Sequence, residues 1–377
     1  MDKMRVLHIS QSWGCKSGVE GISTVIMNLY RSIDNNKIVF DIGSFNDRKS
    51  VFEDELNALG GTVYKIKGKT EFSRWFYIIK LIKQKNYDAV WLHINLAYRG
   101  FGMFLIKLLT NAKIRILHCH NVGLTYNNKS DKIRYILNAL FRIFVPFSAT
   151  NLFSCSIPAA EWAFSRRSFK EKGKVINNAI MVDKYTFSQE TRNRIRKEEC
   201  WNNEIVLGYV GMFTPGKNQI FLIRLLENLK NKIPCKCVLI GGGSEEYIKE
   251  FNSILDNSSA KNEFVIKGVI RNVNEYLQAM DCFIFPSVHE GLGIVAIEAQ
   301  AAGLPTICSE HIPLDAKCSD LFQQISLNDP IEKWCKKIIE SVQANTRSDR
   351  SDEIKNHGYD IKQVADEVSK VLFNVNE

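Results

Sequence analysis

The sequence predicts an α/β fold made of two Rossmann-like, doubly wound domains facing a cleft. Three observations carry this. Short apolar runs of strand character alternate with stretches of 3.6-residue periodicity, the rhythm of a parallel sheet covered by helices. That rhythm fades after about residue 155 and restarts at about residue 205. The chain's 377 residues also exceed what a single core usually serves.

The elements follow in order. Strands are expected at 4–10 (MRVLHIS), 38–45, 62–66, 89–94 (AVWLHI), 114–119 (IRILHC) and 151–155, with helices at 20–33, 71–85 and 130–145. The second series places strands at 205–211 (IVLGYVG), 236–241, 264–267, 282–286 (CFIFP) and 306–308. Its helices are expected at 217–231, 245–256, 272–279, 294–302 and 331–343. A polar stretch, 183–203, shows no sheet pattern and reads as the connection. The domains are therefore drawn as 1–185 and 186–360. Residues 361–377 form an amphipathic C-terminal helix expected to pack back on the first domain. Ligands in such sheets bind at the carboxyl ends of the strands, and the inter-domain cleft is the expected site.

Composition narrows the class. No run of about 18 apolar residues occurs, and MDKMRVLHIS does not read as a secretory signal, so a cytoplasmic protein is expected. The ten cysteines form no CxxC pair and several lie inside apolar runs, so they read as buried free thiols. Charge is uneven. Residues 1–185 carry 28 Lys and Arg against 14 Asp and Glu, and the remainder 22 against 27. A basic first half calls for an anionic partner or a solvated face. No nucleic-acid-binding module accompanies it.

Chemistry concentrates in residues 285–305, FPSVHEGLGIVAIEAQAAGLP. A strand ends, Gly291 and Gly293 allow a tight turn, and a helix begins at Ile294. The backbone N–H groups of Gly291, Leu292, Gly293 and Ile294 then face outward at a helix N-terminus, which is an anion site suited to a diphosphate. Glu298, in the first turns of the helix, can accept two hydrogen bonds from a diol such as a ribose. Glu290, on the preceding loop, can accept from sugar hydroxyls. Taken alone, such a glutamate pair is more often a helix-dipole residue and a solvated side chain. The glycine loop between strand and helix argues otherwise.

The Glu-x7-Glu spacing followed by Ala-Gln-Ala-Ala-Gly-Leu-Pro resembles the donor-binding motif of family 4 glycosyltransferases, retaining nucleotide-sugar-dependent enzymes of the GT-B fold. Further stretches extend the likeness almost end to end, densely over 205–310. LGYVGMFTPGKNQIFL (207–222) resembles the family's phosphate-binding loop, with Lys217 at the lysine position and Met212 where an arginine is expected. FVIKGVIRNVNEYLQAMDCFIFPS (264–287) resembles the segment cradling the base, around Val269, Ile270 and Arg271. In SGVEGISTVIMNLYR (17–31), Gly21 matches the glycine loop that approaches donor phosphates and acceptor. KIRILHCHNVG (113–123) places His120 at the family's cleft histidine, with His118 on the same side of the strand and Asn121 beside it. Asn177 and Asn178 read as turn residues.

The resemblance implies a hexosyltransferase-type enzyme. It would move sugar from a nucleotide sugar, a UDP-sugar by expectation, to a glycan or lipid-linked acceptor with retention, in capsule or exopolysaccharide synthesis. Glu290, Lys217 and His120 are the catalytic candidates. No Asp-x-Asp pair occurs, so no metal and no cofactor are expected. Basic, aromatic-rich segments 72–85 and 129–147 suggest peripheral attachment to an anionic membrane. Two alternatives stay open: a non-catalytic GT-B partner subunit, for which Met212 is the clue, and a sugar-nucleotide epimerase. The Gly241-Gly242-Gly243 turn is not the dinucleotide fingerprint, which disfavours an oxidoreductase.

Overall fold

The computed structural model describes residues 3–11, 13–14, 21–120, 129–344 and 346–373. The chain divides into two units, Met1–Ala179 with Ile361–Glu377, and Ile180–Asp360.

The first unit holds a seven-stranded sheet. Its strands are β1 (Met4–Ser10), β2 (Ile38–Ser44), β3 (Val63–Lys65), β4 (Ala89–Ile94), β5 (Ile114–Cys119), β6 (Asn151–Ser154) and β7 (Gly173–Val175). They pair in parallel in the order β3-β2-β1-β4-β5-β6-β7. β1, β4 and β5 are buried almost throughout, as parallel strands covered on both faces must be. Order reverses between β1 and β4, so the ends of these two strands form the switch point where a ligand crevice opens. The helix Ile361–Phe373 belongs to this unit. It packs on the helix Gly21–Ser32 through a face that includes Val364, Val368 and Leu372.

The second unit holds a six-stranded parallel sheet. Its strands are β8 (Ile205–Val210), β9 (Cys235–Ile240), β10 (Phe264–Gly268), β11 (Cys282–Phe285), β12 (Thr306–Ser309) and β13 (Phe322–Ile325). The order is β10-β9-β8-β11-β12-β13, with the switch point between β8 and β11. Phe283, Phe285, Trp334 and Phe251 are among its largest fully buried side chains.

The pattern located the long strands within a residue or two and missed β7 and β13, which have three and four residues. The boundary drawn at 185/186 falls at 179/180 instead. The helix Val182–Tyr185 packs on the helices Val273–Ala279 and Ile294–Ala301 of the second unit, which ties it there. The supposed connection also contains a helix, Gln189–Glu198, capped by the Ser188 hydroxyl. It docks through Arg192 and Arg196, which bracket Asp281. Its sequence is nearly all polar, so apolar periodicity could not announce it. The helix expected from 217 starts at Gln219, because Pro215–Lys217 is a 3-10 turn and Asn218 is left-handed at φ 57°.

Among the described residues, no helix is long and apolar enough to cross a membrane. The nine described cysteines are free thiols, and seven are buried.

Candidate functional site

In the second unit, the loops that follow β8, β9, β10 and β11 meet at the carboxyl edge of the sheet, around its switch point. Backbone hydrogen bonds stitch them together. Val288 N–H donates to the Gly216 carbonyl at 2.9 Å, Phe213 N–H to Gly242 at 2.7 Å, and Gly241 N–H to Gly268 at 2.8 Å. Asn218 adds a side-chain bond to the Pro286 carbonyl at 3.1 Å. The close approach at Gly241 admits only glycine. Its φ is +146°, and a Cβ there would stand 1.9 Å from the Gly211 carbonyl oxygen.

This stitching brings Lys217 and Glu290, 73 residues apart, into an ion pair. The carboxylate side chain is only 10% exposed and the lysine 26%, so water screens the pair weakly. The ammonium also lies 5.4 Å from the centre of the Phe285 ring. Lysine and glutamate, assigned separate roles from sequence, thus form one charged unit.

Gly293 opens the helix Ile294–Ala301 in the left-handed region, at φ +82°. A Cβ there would press on Ile312 and Phe285 at 3.1 and 3.2 Å. Gly291 and Leu292 complete the turn, and the first N–H groups of the helix have no acceptor within it. Glu298 lies one turn further in. Its carboxylate accepts from the Tyr185 hydroxyl at 2.8 Å, and burial pushes it up to about 7. Tyr185 gave no sequence signal, standing 113 residues away in a segment read as linker. Arg271 is exposed beyond β10, next to Val269, and Met212 is half-buried in the loop after β8. The Met212 carbonyl accepts from Gln219 at 2.7 Å.

In the first unit, the ends of β1, β4 and β5 carry four histidines. His8 stands opposite Trp91 in the parallel register, and His93 opposite His118. His120 follows β5, its ring centre 4.0 Å from that of His118. His8 Nδ1 and His93 Nε2 are 3.0 Å apart, and His93 Nδ1 and His120 Nε2 are 2.8 Å apart. Burial lowers all four: His8 and His120 to about 3, His93 and His118 well below the ordinary value. All are therefore neutral imidazoles at neutral pH. The sequence singled out His118 and His120. His8 and His93 were missed, although VLHIS, WLHI and ILHC repeat Leu-His at three strand ends. Gly21 opens the helix Gly21–Ser32 with free space around it. Asn121 lies outside the described residues.

Two parallel-sheet α/β units, each with its own switch point, are the architecture of the GT-B class of fold. HepE of Anabaena, solved in complex with UDP-glucose, superposes with a TM-score of 0.75 at 17% identity, over 98% of this chain and 100% of that one. Residues 191–353 match the family described as Glycosyl transferases group 1. EpsF of Bacillus subtilis (strain 168), named as a glycosyltransferase, is 27% identical over 376 residues, 95% of this chain and 94% of its own. CapH of Staphylococcus aureus, named as a capsular polysaccharide biosynthesis glycosyltransferase, is 27% identical over 294 residues, 78% of each chain. Residues 191–353, in the second unit, thus carry a Glycosyl transferases group 1 domain.

Proposed function

We propose that the protein transfers a sugar from a nucleotide sugar, a UDP-hexose, to a lipid-linked or glycan acceptor with retention of configuration, in the synthesis of a cell-surface polysaccharide. The observation that carries this is the convergence of Lys217, Glu290 and the Gly291–Gly293 turn at the switch point of the six-stranded sheet. Lys217 and the amides of Gly291, Leu292, Gly293 and Ile294 would hold the diphosphate, and Lys217 would neutralise charge on it as the glycosidic bond breaks. Glu298 would accept both ribose hydroxyls. Glu290, steered by Lys217, would accept from the sugar. The backbone near Arg271 would meet the base.

Retention through a covalent intermediate needs a carboxylate beneath the anomeric carbon. Glu290 is committed to Lys217, so attack on the same face as the departing phosphate is the favoured route, with that phosphate taking the acceptor's proton. The names of EpsF and CapH, and the UDP-glucose in HepE, support the substrate class.

Helix Lys129–Phe144 supports a lipid-linked acceptor. Its apolar side chains point outward: Ile133, Ile136, Leu140, Ile143 and Phe144 are each about half exposed. Its inward face holds Phe141, packed on the core, and the buried Asn138, which accepts from Ala97 N–H at 2.6 Å and donates to the Trp162 carbonyl at 2.8 Å. Lys132, Arg134 and Arg142 flank the apolar face, and Lys107 is bonded to the Phe147 carbonyl beside it. A basic helix with this many exposed apolar side chains fits the surface of an anionic bilayer.

The test is UDP-hexose turnover with a polyprenyl-diphosphate-sugar acceptor in anionic and zwitterionic vesicles. Turnover and co-flotation are expected with anionic vesicles, both falling at least tenfold in Ile136→Glu with UDP binding unchanged. Equal turnover in both vesicle types would remove the membrane reading. No turnover with any acceptor would remove the transferase reading.

A further inference from the structure

Two clamped arms bring the Tyr185 hydroxyl to Glu298. On the first, the Tyr185 carbonyl accepts from the buried Gln278 side chain at 2.9 Å, and Gln278 accepts from Ser188 N–H at 3.0 Å. The next residue, Thr186, shares a hydrogen bond with the Ser351 hydroxyl at 2.9 Å. On the second, Arg347 holds the end of the Glu298 helix. Its guanidinium donates to the Ala302 carbonyl at 3.1 Å and to the Met280 carbonyl at 2.6 Å. It also covers the Phe187 ring at 4.5 Å, which joins that helix end to the chain leaving Tyr185. Tyr185 and Glu298 are themselves only half-buried, and such side chains spread over several rotamers unless bonded. The 2.8 Å bond between them selects one for each.

That bond has a direction. A carboxylate only accepts, through about four lone-pair positions, and here the tyrosine hydroxyl donates. Tyr185 takes one position on Oε1, and enough remain for both hydroxyls of a diol. Donation to the charged form favours that form, against the burial that raises the carboxyl to about 7.

Among the described residues no cation does this instead. The elements packed against the Glu298 helix offer other ionisable groups. On Val182–Tyr185, Asp183 pairs with Lys355 of the helix Ser351–Asn356 at 3.5 Å, and Lys184 is exposed. On Ser351–Asn356, Glu353 pairs with Arg350 at 2.6 Å, and Asp352 is exposed. Asp315, in the turn Leu314–Ala316, is exposed as well. Cys282 and Cys308, on β11 and β12, are buried thiols. Only burial and the Tyr185 hydroxyl move the Glu298 titration.

We propose that Tyr185 is a positioning residue of the nucleotide site, its hydroxyl fixing the Glu298 carboxylate as the acceptor for both ribose hydroxyls. Phenylalanine at this position keeps the ring and its packing and loses only the donor. The ribose as ligand rests on the proposed function, whereas the coupling of Tyr185 to Glu298 does not.

The experiment compares the wild type, Tyr185→Phe, Glu298→Gln and the double variant between pH 5 and 9, by urea melts and by calorimetric titration with UDP. Without the donor, Glu298 should keep its proton to higher pH. The rise in UDP affinity expected of the wild type through pH 7 should move up by about one pH unit in Tyr185→Phe. Affinity would then be roughly tenfold weaker at pH 7 and close to the wild type at pH 9. In the melts, the deficit of Tyr185→Phe should open as pH rises through 7, and should stay constant where Glu298 is already glutamine. An equal loss of affinity at every pH, or a constant deficit in both backgrounds, would make Tyr185 a structural contact and overturn the inference. UDP binding by the wild type with an unshifted profile in Tyr185→Phe would remove this inference alone. No UDP binding by the wild type would remove the proposed function with it.

Discussion

Lys217→Ala is expected to lower kcat by about 10²–10³-fold, equivalent to roughly 3–4 kcal/mol of lost transition-state stabilisation. The size follows from the composition of one loop. Between residues 207 and 222 Lys217 is the only cation, because Met212 stands where a second is expected. The same substitution strands Glu290, which is 10% exposed, without its partner. It should therefore also cost about 1–3 kcal/mol of stability. The two effects separate in the double variant Lys217→Ala/Glu290→Gln. Removing the orphaned charge is expected to restore the melting temperature and to leave turnover low. Recovery of turnover along with stability would mean that the pair only holds the loops in place. Steady-state kinetics and thermal melts on the same samples check this.

The second large effect concerns pH and Glu298. Its carboxyl is raised from 4.5 to about 7 by burial, with the Tyr185 hydroxyl pulling the other way. The folded state thus holds this proton more tightly than the unfolded chain does. That contribution to stability is complete below pH 4.5 and is lost as pH rises through 7, a change of up to about 3 kcal/mol. Glu298→Gln cannot titrate, so urea melts should show it gaining on the wild type between pH 5 and 8. Ribose binding asks for the ionised form, which accepts both hydroxyls. UDP affinity of the wild type should therefore strengthen as pH rises through 7, while that of the amide variant stays flat. Parallel curves for the two proteins would show that Glu298 does not titrate in this range.

Much of the fold is legible because parallel strands buried on both faces must be continuous apolar runs, as AVWLHI and CFIFP are. The donor-side candidates are legible for a related reason. A glycine turn between strand and helix has to be written locally, and Gly291–Gly293 is. What escaped the sequence is what the sheet register and the packing bring together. His8 and His93 are 85 residues apart, and only the pairing of β1 with β4 makes them neighbours. Tyr185 reaches Glu298 only because the helix Val182–Tyr185 packs in the second unit. Lys217 and Glu290 were each foreseen, but not their pairing, since it depends on Val288 bonding back to Gly216. The basic, aromatic-rich character of segment 129–147 is legible in the sequence, but the orientation of its helix is not. Only the burial of Asp131 and Asn138, with Ile133, Ile136, Ile143 and Phe144 exposed, shows which way it faces.

The central claim is a nucleotide-sugar site built on the second unit, and calorimetric titration with UDP and UDP-hexoses tests it most directly. The wild type should bind UDP, and Glu298→Ala should weaken that binding at least tenfold with the fold intact. Absence of binding by any nucleoside diphosphate or nucleotide sugar would contradict the account and make Met212 the mark of a subunit without turnover.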